Sequence, residues 1–188
     1  LRDPQAGLNF VLMNSFARAG GEQAGYGKIA VQALNESVKA CKSYDNLMKL
    51  EDASQIVWNK FVRICNSNRI GINEKLNKGV IIGITKLAQK SPNHNPFEYL
   101  GYKLERDPIN AFMELRRIKG IGDKIASFIL RDIAVMLKID GKIPLHHQIL
   151  LQPIDRWIKA IVITIWKDLE KRASQWIIGL KIIDKCSI

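Results

Sequence analysis

Apolar positions along this chain recur at intervals of three, four and seven residues. Leu76, Val80, Ile84 and Leu87 form one such stripe, and Ile125, Ile129, Ile133 and Met136 a second. Ile154, Trp157, Ile158, Ile161 and Ile165 form a third, and Ala173, Trp176, Ile177, Leu180 and Ile183 a fourth. That rhythm predicts helices with the stripe turned to a core. Further helices are predicted over Leu8–Ala17, Ile29–Ala40, Ala53–Cys65 and Pro108–Arg117. Asp107-Pro108 reads as a helix start, with the carboxylate as N-cap and proline in the first turn. No segment alternates in the manner of paired strands, and no Asn-Gly turn joins two such runs. The fold class is therefore all-α. Loops are expected at Gly20–Gly27, Asn66–Gly71, Ser91–Pro96 and Asp140–Gln152, the last being the longest irregular piece of the second half. The polar Ser91–Pro96 loop is a candidate DNA contact, although loops are usually polar for their own reasons. There are no internal repeats and no low-complexity tail.

At 188 residues, with 47% hydrophobic, the chain can bury a sizeable core as one domain or as two small subdomains. Charge adds more. Lys and Arg number 29 against 18 Asp and Glu, a formal +11. A Lys-rich, Ile-rich genome would raise that count by itself, but an excess of this size points to a polyanionic partner, nucleic acid ahead of membrane. Cys41, Cys65 and Cys186 make no CxxC pair and no four-cysteine cluster. Zinc and iron–sulfur sites of the usual spacing are not supported, and a reducing cytosol with cysteines in or near the core is expected. No apolar run approaches the ~20 residues of a membrane helix. The start, Leu1-Arg2-Asp3-Pro4, has no signal-peptide pattern and no initiator Met, so a short preceding segment is expected.

The chemistry concentrates in Leu115-Arg116-Arg117-Ile118-Lys119-Gly120-Ile121-Gly122-Asp123-Lys124-Ile125-Ala126. One amphipathic run stops at a Gly-x-Gly turn and a second begins at once. Glycines let the backbone turn sharply and bring N–H groups close to an anion, and the new helix aims its positive end at the same place. Ile118 and Ile121 can anchor the turn to the core. Lys119, Gly120, Ile121 and Gly122 are the candidate phosphate-binding residues. The competing reading is a tight connection with no ligand. Lys124 falls in the first turn of the second helix, where the dipole disfavours an ammonium by about 0.3–1 kcal/mol when exposed. A neutral amine is a nucleophile; the plainer reading is a solvated surface charge. Downstream, Gln152-Pro153-Ile154-Asp155-Arg156-Trp157 reads as another helix start. Asp155 is favoured as the anion there, which suits catalysis or ordinary capping.

The Lys-Gly-Ile-Gly-Asp-Lys-Ile-Ala core within Leu115–Leu130, together with Pro153-Ile154-Asp155, resembles the helix-hairpin-helix DNA glycosylases that carry a Gly/Pro-rich loop and a following aspartate. The clear match covers about a quarter of the chain, and Lys75–Ala88 is more weakly similar to the helix before the hairpin. The lysine paired with the downstream aspartate is much more specific than a hairpin alone. The resemblance implies an all-α protein of two helical subdomains with DNA in the groove between them: residues 1–45 with 138–188, and a barrel-like 46–137 carrying the hairpin. It implies a flipped-out base, Lys124 attacking the sugar C1′ to form a Schiff base, Asp155 assisting, and strand nicking by β-elimination. Gly120 and Gly122 would hold a backbone phosphate.

The link from Lys124 to Asp155 is longer than is usual in the family, with Asp140–Gln152 inserted. Arg18 and Gln23 are the candidates to fill the gap a flipped base leaves. A lysine-bearing member without an iron–sulfur cluster most resembles the 8-oxoguanine branch, and Phe128, Trp176 and Trp157 are candidate walls for the purine. His146-His147 suggests a metal at first sight, but adjacent residues on one element point apart, and loop polarity explains them better. No metal and no cofactor is expected. The expected partner is double-stranded DNA with a damaged base, bound by a monomer in the cytoplasm or on a prokaryotic nucleoid, with no membrane involved. The alternative is a non-catalytic helix-hairpin-helix module in which Lys124 contacts phosphate.

Overall fold

Short polar side chains cap the starts of half of the described α-helices. Asp3 accepts the Ala6 N–H at 2.7 Å and opens α1 (Pro4–Ser15). Ser43 accepts from Asn46 at 3.1 Å and opens α3 (Tyr44–Met48). Asn73, Asn95 and Asp107 do the same for α5 (Glu74–Lys90), α6 (Pro96–Arg106) and α7 (Pro108–Arg116). Each satisfies amides that a helix end leaves without an internal acceptor. The remaining α-helices are α2 (Ala24–Ala40), α4 (Ala53–Ser67), α8 (Asp123–Leu137), α9 (Leu145–Gln148) and α10 (Arg156–Ile165). This computed structural model describes residues 2–16, 24–154, 156–166, 177–179 and 181–182. Among them the protein is all-α, with no strand.

The faces these helices bury follow the periodic stripes. Leu8, Val11 and Leu12 of α1 meet Ala30, Ala33 and Leu34 of α2, Phe61 of α4, Ile81 and Ile84 of α5, Leu100 and Leu104 of α6, and Ile129 and Ile133 of α8 in one apolar cluster. Helix α1 runs against α2, α5, α6 and α8. The cluster draws on both the 1–45 and the 46–137 segments and extends to Leu151. A second, smaller cluster joins Ile154, Val162 and Ile178, flanked by Trp166 and Ile182.

Several expectations need correction. Within the expected Gly20–Gly27 loop, α2 already starts at Ala24, and Gly27 is buried against Met13 of α1. Helix α4 runs through Ser67, inside the expected Asn66–Gly71 loop. Ser91–Pro96 holds a 3-10 turn, Pro92–His94, and the start of α6. Asp140–Gln152 is an ordered run of two 3-10 turns around α9, whose Ile143, Ile149, Leu150 and Leu151 are buried. The His146 and His147 rings, expected to point apart, lie 4.1 Å apart centroid to centroid, because the one-turn α9 does not separate them. Periodicity puts Met136 on a buried stripe, yet it is 52% exposed; Leu137, at the end of α8, is the residue that reaches back over Gly101 of α6. On the third stripe, Ile154 is buried, as is Val162 of α10, while Ile161 and Ile165 are 58% and 63% exposed. The fourth stripe lies mostly outside the described residues.

Candidate functional site

Residues 117–122 turn the chain between α7 and α8. The end of α7 closes with Arg117 N–H on Met113 C=O and Ile118 N–H on Leu115 C=O, both 3.0 Å. Gly120 then takes φ 96°, a conformation that side-chain-bearing residues rarely adopt. The turn is tied by Ile121 N–H donating to Ile118 C=O at 3.0 Å. Ile121 is only 2% exposed and Ile118 packs against the main cluster, so the turn is pinned from inside. Arg116 braces it from outside: its Nη1 donates to Ile121 C=O at 2.9 Å, and its Nε pairs with the Asp123 carboxylate. Because the Ile121 N–H is already spent within the turn, this residue serves as an anchor, and an anion here would meet neighbouring groups instead.

The next amides along the chain are those at the start of α8. Its N-cap is Gly122, so no side chain caps this helix, unlike α1, α3, α5, α6 and α7. The first intrahelical bond is Ala126 N–H to Gly122 C=O, 3.0 Å, and a Cβ built on Gly122 meets nothing within 4 Å. A helix start that is glycine-capped, open to solvent and carries the positive dipole end is suited to an anion.

The floor beneath the turn is a feature that sequence reasoning missed. Gly79 and Gly83, one turn apart on α5, face it. A Cβ at Gly79 would lie 2.6 Å from the Lys119 carbonyl oxygen, and one at Gly83 would collide with Ile118 Cγ2. The hairpin backbone sits directly on α5 because these two positions have no side chain. The signal was present: two glycines four apart inside an amphipathic helix each cost about 1 kcal/mol relative to alanine, and call for a packing reason.

Lys124 is half-buried in the first turn of α8, with Nζ 5.7 Å from the centroid of the Phe128 ring. Arg131, one turn further on, places its guanidinium 4.8 Å from the same ring. The candidate wall Phe128 is thus a half-buried aromatic with two cations against it. Lys119 is exposed at the top of the turn. Asp155, Trp176, Arg18 and Gln23 lie outside the described residues, as does the side chain of Trp157, whose backbone belongs to α10. The structure therefore brings together Lys119, Gly120, Ile121, Gly122, Lys124 and Phe128.

Among the described residues, no group of three or more His, Cys, Asp or Glu is disposed to hold a metal ion, and no helix is long and apolar enough to cross a membrane. Comparison with protein-family models, with curated proteins and with solved structures finds no match to this chain.

Proposed function

We propose that this protein is a base-excision DNA glycosylase with AP lyase activity, built around a helix-hairpin-helix motif formed by α7, residues 117–122 and α8. The observation that carries the proposal is the placement of Lys124. A lysine stands in the first turn of a helix whose glycine-capped end opens to solvent, beside an aromatic ring, on a turn pinned rigidly to the core. An amine that must attack one carbon of a sugar needs a fixed position relative to the phosphate that holds the strand. The turn and the lysine share one rigid segment, which supplies that relation.

In this mechanism the open end of α8, with Gly120, Gly122 and Lys119, holds a backbone phosphate of duplex DNA in the groove between two helical subdomains. The damaged nucleotide is flipped out. Neutral Lys124 Nζ attacks C1′ of its sugar as the bond to the base breaks and the base leaves carrying a proton; the C1′–O4′ ring bond then opens to give the Schiff base, and loss of a C2′ proton expels the 3′ phosphate, which nicks the strand. Asp155, just before α10, stabilises positive charge on the sugar during attack. The lesion proposed is 8-oxoguanine, and the enzyme acts as a monomer on chromosomal DNA in the cytoplasm. The net charge of +11 supports a polyanionic partner.

Borohydride trapping on a duplex containing 8-oxoguanine tests the proposal, with a panel of other lesions alongside. The expected result is a covalent adduct that Lys124→Gln abolishes, with Asp155→Asn losing turnover while retaining DNA affinity. A chain that binds duplex DNA but gives no adduct and no nick on any lesion is the non-catalytic module. In that case Lys124→Gln only weakens binding and lowers its salt sensitivity.

A further inference from the structure

The seat of the hairpin on α5 creates a groove of about 460 Å³ lined by Glu74, Lys75, Lys78, Gly79, Ile82 and Lys119. Gly79 lets the Lys119 backbone settle onto α5, and that seating brings a hairpin lysine to the same groove as two lysines from the first turns of another helix. Three lysines and one glutamate leave a net of two positive charges there. Glu74 has a local reason to be present, because a carboxylate in the first turn of α5 complements the helix dipole. The lysines have none. Lys75 and Lys78, three apart on one helix, repel each other by a few tenths of a kcal/mol.

Some cations of the fold are paired: Lys60 with Glu36, Lys103 with Glu114, Arg116 with Asp123, Arg131 with Asp132 and Lys142 with Glu105. Among the described residues no carboxylate lies within ion-pair distance of Lys75, Lys78 or Lys119. A groove with an excess of one sign of charge attracts the opposite charge.

We infer that this groove is a second phosphate station, in which Lys75 and Lys78 of α5, together with Lys119, hold the sugar–phosphate backbone of the strand gripped at the start of α8. The inference rests on the DNA-binding reading above and adds the direction of the footprint: from the hairpin across the N-terminal turns of α5. These lysines meet phosphate, so they add affinity without reading sequence.

The test is fluorescence anisotropy of the full chain with an undamaged duplex oligonucleotide, titrated at several salt concentrations. The variants are Lys75→Ala/Lys78→Ala and, as a control, Lys28→Ala/Lys39→Ala on α2, whose lysines line a separate groove with Met13 and Val31. Circular dichroism verifies that both pairs stay folded. Removing two phosphate-binding lysines should make the slope of log K against log salt shallower by about 1.8, so the affinity deficit grows about sevenfold as salt falls from ~0.3 to ~0.1 M. The control pair should leave the slope near wild type. Equal slopes for the Lys75/Lys78 pair and wild type overturn the inference while leaving the hairpin reading intact, and so does an equal loss in the control, which would mean diffuse charge. A wild-type chain that binds no duplex overturns both.

Discussion

Gly79→Ala puts the closest approach of hairpin backbone to α5 under direct test. The new Cβ would lie 2.6 Å from the Lys119 carbonyl oxygen and 2.8 Å from the Lys119 Cβ, whereas ordinary contact begins at 3.4 Å. The nearest atom is backbone, so it cannot rotate away, and the hairpin must retreat by about 0.8 Å, the difference between 3.4 and 2.6 Å. Overpacking of this kind costs about 1–3 kcal/mol. Alanine returns about 0.8–1 kcal/mol of helix propensity. The net expectation is a loss of about 1 kcal/mol, or a melting temperature lower by about 2–4 °C for a chain of this size. The effect on function should be much larger, since misplacing a reacting group by about 1 Å costs on the order of a hundredfold in rate. Thermal melting and duplex nicking, read on the same preparation, separate the two effects. Gly71→Ala is the comparison, because a Cβ there meets nothing within 4 Å. A Gly79→Ala protein that melts and nicks like wild type would refute the idea that α5 fixes the position of the hairpin.

The two glycines of the turn should separate in the same assays. Gly120→Ala forces a side chain into positive φ and should cost about 1–2 kcal/mol, whereas Gly122→Ala, in extended backbone facing open space, should melt like wild type yet bind duplex DNA less tightly. Unchanged affinity in Gly122→Ala would remove the start of α8 from the proposed phosphate site. Stability should also fall as pH rises above about 10. Burial, with the Asp3 and Asp45 carboxylates adding to it, pushes the Tyr44 phenol well above its ordinary 10.0. Lys103 is also raised: burial opposes the charge, but hydrogen bonds with Glu114 and Tyr99 outweigh it. Both groups keep protons in the folded state that the unfolded chain has released, so their contribution is complete below the unfolded pKa and is lost as pH rises toward the folded one. Tyr44→Phe should flatten that alkaline decline in melting temperature. At neutral pH it should cost about 1 kcal/mol, because the 2.7 Å hydrogen bond to the His94 carbonyl is gone. An alkaline slope identical to wild type would show that Tyr44 does not carry it.

The helix starts were legible where a capping residue met a proline, as at Asp107-Pro108. The same signal at Asn95-Pro96, followed by Phe97, Leu100, Gly101 and Leu104, marks α6, whose helical run sequence reading passed over in favour of a loop ending at Pro96. For the site, the Gly120–Gly122 turn and the anchoring role of Ile118 and Ile121 followed from residue type and order. Its support did not. Gly79 and Gly83 lie about forty residues upstream, and only packing shows that their bare face carries the hairpin.

By itself the sequence determined what is local: an all-α chain, most of its helices, the glycine turn and the place of Lys124 in the first turn after it. Periodicity, caps and backbone freedom act within a few residues, so they are written in the order of the chain. Tertiary structure alone decided which stripes face inward, leaving Met136, Ile161 and Ile165 exposed, and it ordered Asp140–Gln152 against the core. It also decided that α5 both seats the hairpin and lends it two lysines. Those outcomes depend on which distant surfaces meet, and a helix can offer the same apolar face whether or not another element arrives to cover it.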